Sequence, residues 1–124
     1  MEIEFIKPRV FAGKRYQGEI TRFKLNSERT ALFIFVRLDN EPSMEFMKRF
    51  DADISIQSRL FDFCQDMQIF TGERTADLKE LEGRRVIVRL TRYNEKLYVD
   101  KIWLDEEFYS SDEEYEEEDD EEDE

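Results

Sequence analysis

SRLFDFCQDMQIF, residues 58–70, breaks the rhythm of the chain around it. Its apolar side chains fall at Leu60, Phe63, Cys64, Met67 and Phe70, three and four apart, which gathers them on one face of a helix. Ser58 stands where an N-cap belongs, and Thr71-Gly72 stands where a helix stops. A helix is therefore predicted over 58–70, with Cys64 and its apolar neighbours as core.

The flanks read as strands. MEIEFIKP is a short lead-in strand stopped by Pro8. RYQGEITRFKL, 15–25, is rich in β-formers, but its alternation changes phase between Ile20 and Phe23, as a bulge produces, and Gly18 eases a bend there. NSER, 26–29, is a polar turn before TALFIFVRLD, 30–39, the strongest strand of the chain. NEPS, 40–43, is a second turn with Pro42 as punctuation, and MEFMKRFDADI, 44–54, is the third strand. After the helix, ADLKELEG, 76–83, adds a helical turn, and RRVIVRLTRY and KLYVDKIWL form a hairpin around Asn94-Glu95. Three strands, a helix and a hairpin give the layout of a five-stranded OB-fold-like barrel with one helix between strands 3 and 4. A different β barrel, or an open sheet with one helix, has the same order of elements.

Charge divides the chain in two. Fifteen carboxylates and no basic residue follow Leu104, which leaves 17 acidic and 19 basic residues in 1–104. The net charge of −13 thus belongs to a polyanionic end on a slightly basic body. Residues 105–124 have only Phe108, Tyr109 and Tyr115 to bury, so a disordered acidic tail is expected there, attached to a single domain at 1–104.

Composition removes most chemistry. The chain has no histidine and one cysteine, Cys64, which excludes Cys/His zinc sites, Ser–His or Cys–His nucleophilic centres and an internal disulfide. Neither GxxxxGK[ST] nor GxGxxG is present. The expectation is a protein that is not an enzyme, holds no cofactor and works in the cytoplasm. No apolar run is long enough to span a membrane, and MEIEFIKPR does not read as a signal peptide.

Strand 30–38 has two apolar faces. Leu32, Ile34, Val36 and Leu38 suit a barrel interior; Ala31, Phe33, Phe35 and Arg37 lie on the other side. Either the helix or the N-terminal strand covers Phe33 and Phe35, or they form a platform on which unpaired bases stack. Cations are spread over the neighbouring strands: Arg22 and Lys24, Lys48 and Arg49 beside Phe46 and Phe50, Arg85 and Arg89, Lys96 next to Tyr93, and Lys101 next to Trp103. Such interleaving lets phosphates meet positive charge while bases lie on rings. The acidic tail would then compete for the cationic groove at high effective concentration.

In layout, GKRYQGEITRFKL, ALFIFVRLD, the closing LEGRRVIVRLTRYNEKLYVDKIWL and the acidic end resemble a small single-stranded DNA-binding protein of the bacteriophage or mobile-element type. The resemblance covers nearly the whole chain. It implies non-sequence-specific binding of single-stranded DNA in replication and recombination, in a host cytoplasm, with the residues above as the contact face. It also implies recruitment of replication or recombination proteins by the tail. Related tails end on an apolar or aromatic anchor, whereas this one ends on Glu124, so Phe108, Tyr109 or Tyr115 would have to serve. RNA is an equally readable ligand, and Phe-rich faces also allow a homodimer. Two rival readings exist: a metal site at the D-x-D pair Asp51 and Asp53, and a protein-interaction module or DNA mimic acting through its tail.

Overall fold

The structure, a computed structural model, describes residues 1–5 and 7–109. Five antiparallel strands, β1 (Arg15–Leu25), β2 (Ala31–Leu38), β3 (Glu41–Asp51), β4 (Arg85–Tyr93) and β5 (Lys96–Leu104), form one sheet in the order β3-β2-β1-β4-β5. A helix, α1 (Arg59–Asp66), and a 3-10 turn at Leu78–Leu81 occupy the connection from β3 to β4. The protein is mainly β, as read from the sequence. Among the described residues the sheet is open, with β3 and β5 as its edges. Its curl brings those edges near enough for Lys48 Nζ to donate to the Asp100 carbonyl at 2.8 Å.

β1 serves two partners and must bend to do so. It pairs with β4 over Arg15–Glu19 and with β2 over Gly18–Leu25, and the register shifts between Ile20 and Arg22, where the sequence alternation changes phase. Gly18 belongs to both pairings. A Cβ there would lie 2.5 Å from the Arg37 carbonyl oxygen, so no larger residue fits without moving β2.

One face of the sheet is the core. Ile20, Ile34, Val36, Leu38, Val86 and Val88 are fully sealed from solvent, and α1 adds Phe63 and Cys64, with Met67 just past its end, to the same core. Each such aliphatic side chain contributes roughly 1.5–3 kcal/mol through burial. The Phe50 and Phe63 rings meet at 4.7 Å, which locks α1 to β3 on this side. The Ser58 side chain caps α1 by accepting from the Phe61 N–H at 3.0 Å. Burial raises the pKa of the Cys64 thiol, as befits a small core residue.

Four boundaries differ from the sequence reading. The lead-in strand at MEIEFIKP pairs with nothing among the described residues, and Ile3 and Phe5 stay exposed. β3 begins at Glu41, because Asp39-Asn40 alone makes the turn; the register shift to Glu45 absorbs residues 42–44, and Pro42 is tolerated because β3 is an edge. β3 also ends at Asp51, leaving Ile54 in an exposed loop. α1 stops at Asp66: Met67 is its C-cap and Gln68 takes φ 60°, so Phe70 leaves the helix and bridges Ala76.

The body also runs past Leu104. Asp105 is buried, accepts from Gln17 Nε2 at 3.3 Å and from the Phe108 N–H at 3.1 Å, and starts a short turn to Tyr109. No helix of the described residues is long and apolar enough to cross a membrane.

Candidate nucleic-acid interface

The outer face of the sheet carries Phe33 and Phe35. Helix α1 lies on the other side, so both rings are only half-buried. Register sets their surroundings: Lys24 and Arg22 of β1 stand opposite Phe33 and Phe35, and Arg49 and Met47 of β3 stand opposite them on the far side. The result is a cleft of about 450 Å³ lined by Lys24, Asn26, Ser27, Phe33, Phe35 and Met47. The β1–β2 turn at one end is fixed by Asn26, whose side-chain oxygen accepts from the N–H groups of Thr30 and Ala31.

Phe35 is already covered on one face. The Arg22 guanidinium lies 3.8 Å from its ring centroid and donates through Nε and Nη2 to Glu45 Oε1 at 3.1 and 2.9 Å. Glu45 Oε2 accepts from the Thr21 hydroxyl at 2.6 Å. The Thr21 hydroxyl, more than Arg22, holds the Glu45 carboxyl below its usual pKa. Arg37 pairs at 4.0 Å with Glu19, and Arg49 at 2.8 Å with Asp51. Lys24 is exposed and forms no ion pair among the described residues.

A second group lies on the same face but along the β1 half before the register shift. Arg15 stacks 4.5 Å over Trp103, and Arg89 donates to Asp100 Oδ2 at 2.7 Å, with Lys101 opposite it in register. Tyr93 and Tyr98 meet edge-on at 6.4 Å beside Lys96. This patch is mixed in charge: the shallow groove beside Trp103 is lined by Arg15 but also by Asp66, Glu106 and Glu107. It does not join the Phe33–Phe35 cleft.

Lys48 is on neither patch. It shares the core-side parity of Phe46 and Phe50, lies over the Phe50 ring at 5.0 Å and spans to β5; burial lowers its pKa. Arg85 is tied to the Asp39 carboxylate, which lowers the Asp39 pKa and raises that of Arg85, and its guanidinium lies 5.4 Å from the Phe108 ring. Tyr109 Oη accepts from the Arg85 N–H at 2.9 Å. Of the side chains expected as partner anchors, Tyr109 is partly buried and tied to β4 by that bond, Phe108 stays 48 % exposed beside Arg85, and Tyr115 lies outside the described residues.

Sequence reasoning did not single out Met47, Asn26 or Arg15. Strand register brings them into place, and only pairing partners could have revealed them. Asp51 and Asp53 line one pocket, but together with Lys48, Arg49 and Arg59; Asp51 accepts from Arg49 and Asp53 from the Ser55 N–H. Among the described residues no three acidic or sulfur groups cluster as metal ligands. The chain matches no protein-family model, no curated protein and no solved structure.

Proposed function

We propose that this protein binds single-stranded DNA without sequence preference, through the cleft over Phe33 and Phe35. The observation that carries the reading is the pair of partly exposed rings side by side on the outer face, bordered by Lys24, Arg22 and Arg49, while the opposite face supplies the core. A strand with one face on the core and one in solvent normally alternates apolar and polar residues, so two neighbouring rings on the solvent face call for a flat apolar ligand. Bases supply one, and every base has a π-face. We further infer that the curled sheet is an OB-type barrel. Its strand order, the helix between β3 and β4 and the approach of Lys48 to Asp100 favour closure of β3 on β5, and the cleft then occupies the β2–β3 wall and the β1–β2 loop used by OB-folds for oligonucleotides.

On this reading phosphates run past Lys24 and Arg49, and Arg22 either flanks a stacked base or yields its place to one. The acidic end competes for the same cations and is displaced when a strand binds, in replication or recombination. The protein acts by binding rather than by catalysis.

The test is anisotropy of a labelled oligo(dT) titrated at two salt concentrations. Affinity is expected to fall steeply with salt, with log K declining by roughly 0.7 per neutralised phosphate and per log unit of salt. Lys24→Ala is expected to flatten that slope by about 0.7. A salt-independent response, or no binding, would leave the tail-driven protein-interaction module as the better account.

A further inference from the structure

The loop from β3 to α1, residues 52–58, stands at the Phe33 end of the cleft. Arg49 pairs opposite Phe33 and Asp51 opposite Ala31, and the Ala52 N–H then donates to the Thr30 carbonyl at 2.9 Å. That bond ties the start of the loop to the β1–β2 turn, which bounds the cleft through Asn26 and Ser27. Five residues separate Arg49 from Ile54, so the tip of the loop lies within about 18 Å of the strand position beside Phe33.

The loop holds two apolar side chains out in solvent. Ile54 is 95 % and Ile56 57 % exposed, and neither joins the core. Consecutive turns hold the backbone that presents them. Asp53 Oδ1 accepts from the Ser55 N–H at 2.9 Å, Ser55 Oγ from the Gln57 N–H at 3.0 Å, and the Ser55 carbonyl from the Ser58 N–H at 3.1 Å. Two β-branched side chains, stiff at χ1, on such a frame make a fixed apolar edge.

Cations lie at the foot of that edge. A pocket of about 480 Å³ there is lined by Arg49, Gln57 and Arg59, and also by Asp51 and Asp53. Arg59 is exposed and forms no ion pair among the described residues. The Arg49–Asp51 pair is exposed on both sides, so it yields readily to a phosphate.

Continuity with the cleft decides the occupant. Arg49 borders Phe33 and also lines this pocket, so a strand that runs from the rings past Arg49 meets Ile54 and Ile56 next. Aliphatic side chains offer no ring on which a base stacks. Their use on nucleic acid is as a wedge between neighbouring bases, where nearby backbone contacts offset the cost of unstacking. Arg49 and Arg59 are placed to make those contacts.

We propose that the 52–58 loop recognises the junction between single- and double-stranded DNA, with Ile54 and Ile56 inserted at the first base pair beside the strand held in the cleft. This activity rests on the strand-binding reading above and adds to it the opening of a duplex end.

The test compares, on the full-length chain, an oligo(dT) with a hairpin duplex carrying the same oligo(dT) as an overhang, in either polarity. A fluorescent purine analogue at the first paired position reports unstacking. Wild type is expected to bind the junction several-fold more tightly than the oligo(dT) in at least one polarity, and to brighten the analogue. Ile54→Ser/Ile56→Ser should lose both effects and keep its oligo(dT) affinity and thermal midpoint, whereas Ile54→Leu/Ile56→Leu should retain both. Equal affinity of the wild type for the two probes, an analogue that stays dark, or a serine variant indistinguishable from wild type would each overturn the wedge while leaving the cleft intact. Absence of oligo(dT) binding would overturn both readings together.

Discussion

Arg22 decides how open the Phe35 ring is. It is held over the ring by Glu45, which is itself fixed by Thr21, so the carboxylate acts as a latch on a cation that would otherwise be free to meet phosphate. Glu45→Gln is expected to tighten oligo(dT) binding several-fold, and Phe35→Ala to weaken it by about 5- to 150-fold, the equivalent of roughly 1–3 kcal/mol for one stacked base. Anisotropy titrations of both variants check this. Glu45, Asp39 and Glu41 also couple stability to pH. Thr21 and Arg22 lower Glu45, Arg85 lowers Asp39, and Ser43 and Arg9 lower Glu41, all below their ordinary values of 4.5, 3.8 and 4.5. Depressed folded-state values mean that their stabilisation is fully present above about pH 4.5 and fades as pH falls through the lowered values. Urea midpoints are therefore expected to be flat from neutral pH to about 5 and to drop below 4, and to drop less in a Glu45→Gln/Asp39→Asn variant.

At the scale of elements, bends and caps carry the fold. Gly18→Ala places a methyl against the Arg37 carbonyl and should cost about 1–3 kcal/mol or more, read as a lower thermal midpoint. Ser58→Ala removes the cap of an eight-residue helix and should cost about 1 kcal/mol in urea unfolding. Both residues were legible because their chemistry is local: the phase change after Gly18 and the Ser58 cap each appear within a few positions. The hairpin at Asn94-Glu95 was legible too, and both residues adopt the left-handed backbone of a tight two-residue turn. The start of β3 was not. Pro42 reads as punctuation, yet an edge strand with a register shift accommodates it, and being an edge is a property of the whole sheet. The lead-in strand failed for a related reason, since alternation in MEIEF predicts a surface to be covered but not which surface covers it.

The whole molecule is a near-neutral body with a polyanion attached, and the attachment point matters. Asp105 and Tyr109 are hydrogen-bonded to β1 and β4, so a cut after Leu104 removes part of the body along with the tail. Truncation after Tyr109 is the clean version: it should leave the thermal midpoint unchanged and tighten oligo(dT) binding at low salt, whereas truncation after Leu104 should also lower the midpoint. The candidate site was legible in part at this scale. The two faces of β2 pointed to Phe33 and Phe35, and composition pointed to cations near them. Which cations border the two rings depends on register: Arg49 stands opposite Phe33, whereas its neighbour Lys48 turns to the β3–β5 seam, and Arg89 and Lys101, with Trp103, lie on β4 and β5 beside the other half of β1. The most direct measurement of the central claim is backbone-amide NMR of the Tyr109-truncated chain titrated with oligo(dT). The account predicts shifts concentrated at Lys24, Asn26, Phe33, Phe35, Met47 and Arg49; shifts centred on Trp103 and Arg15, with the Phe33–Phe35 cleft unmoved, would contradict it.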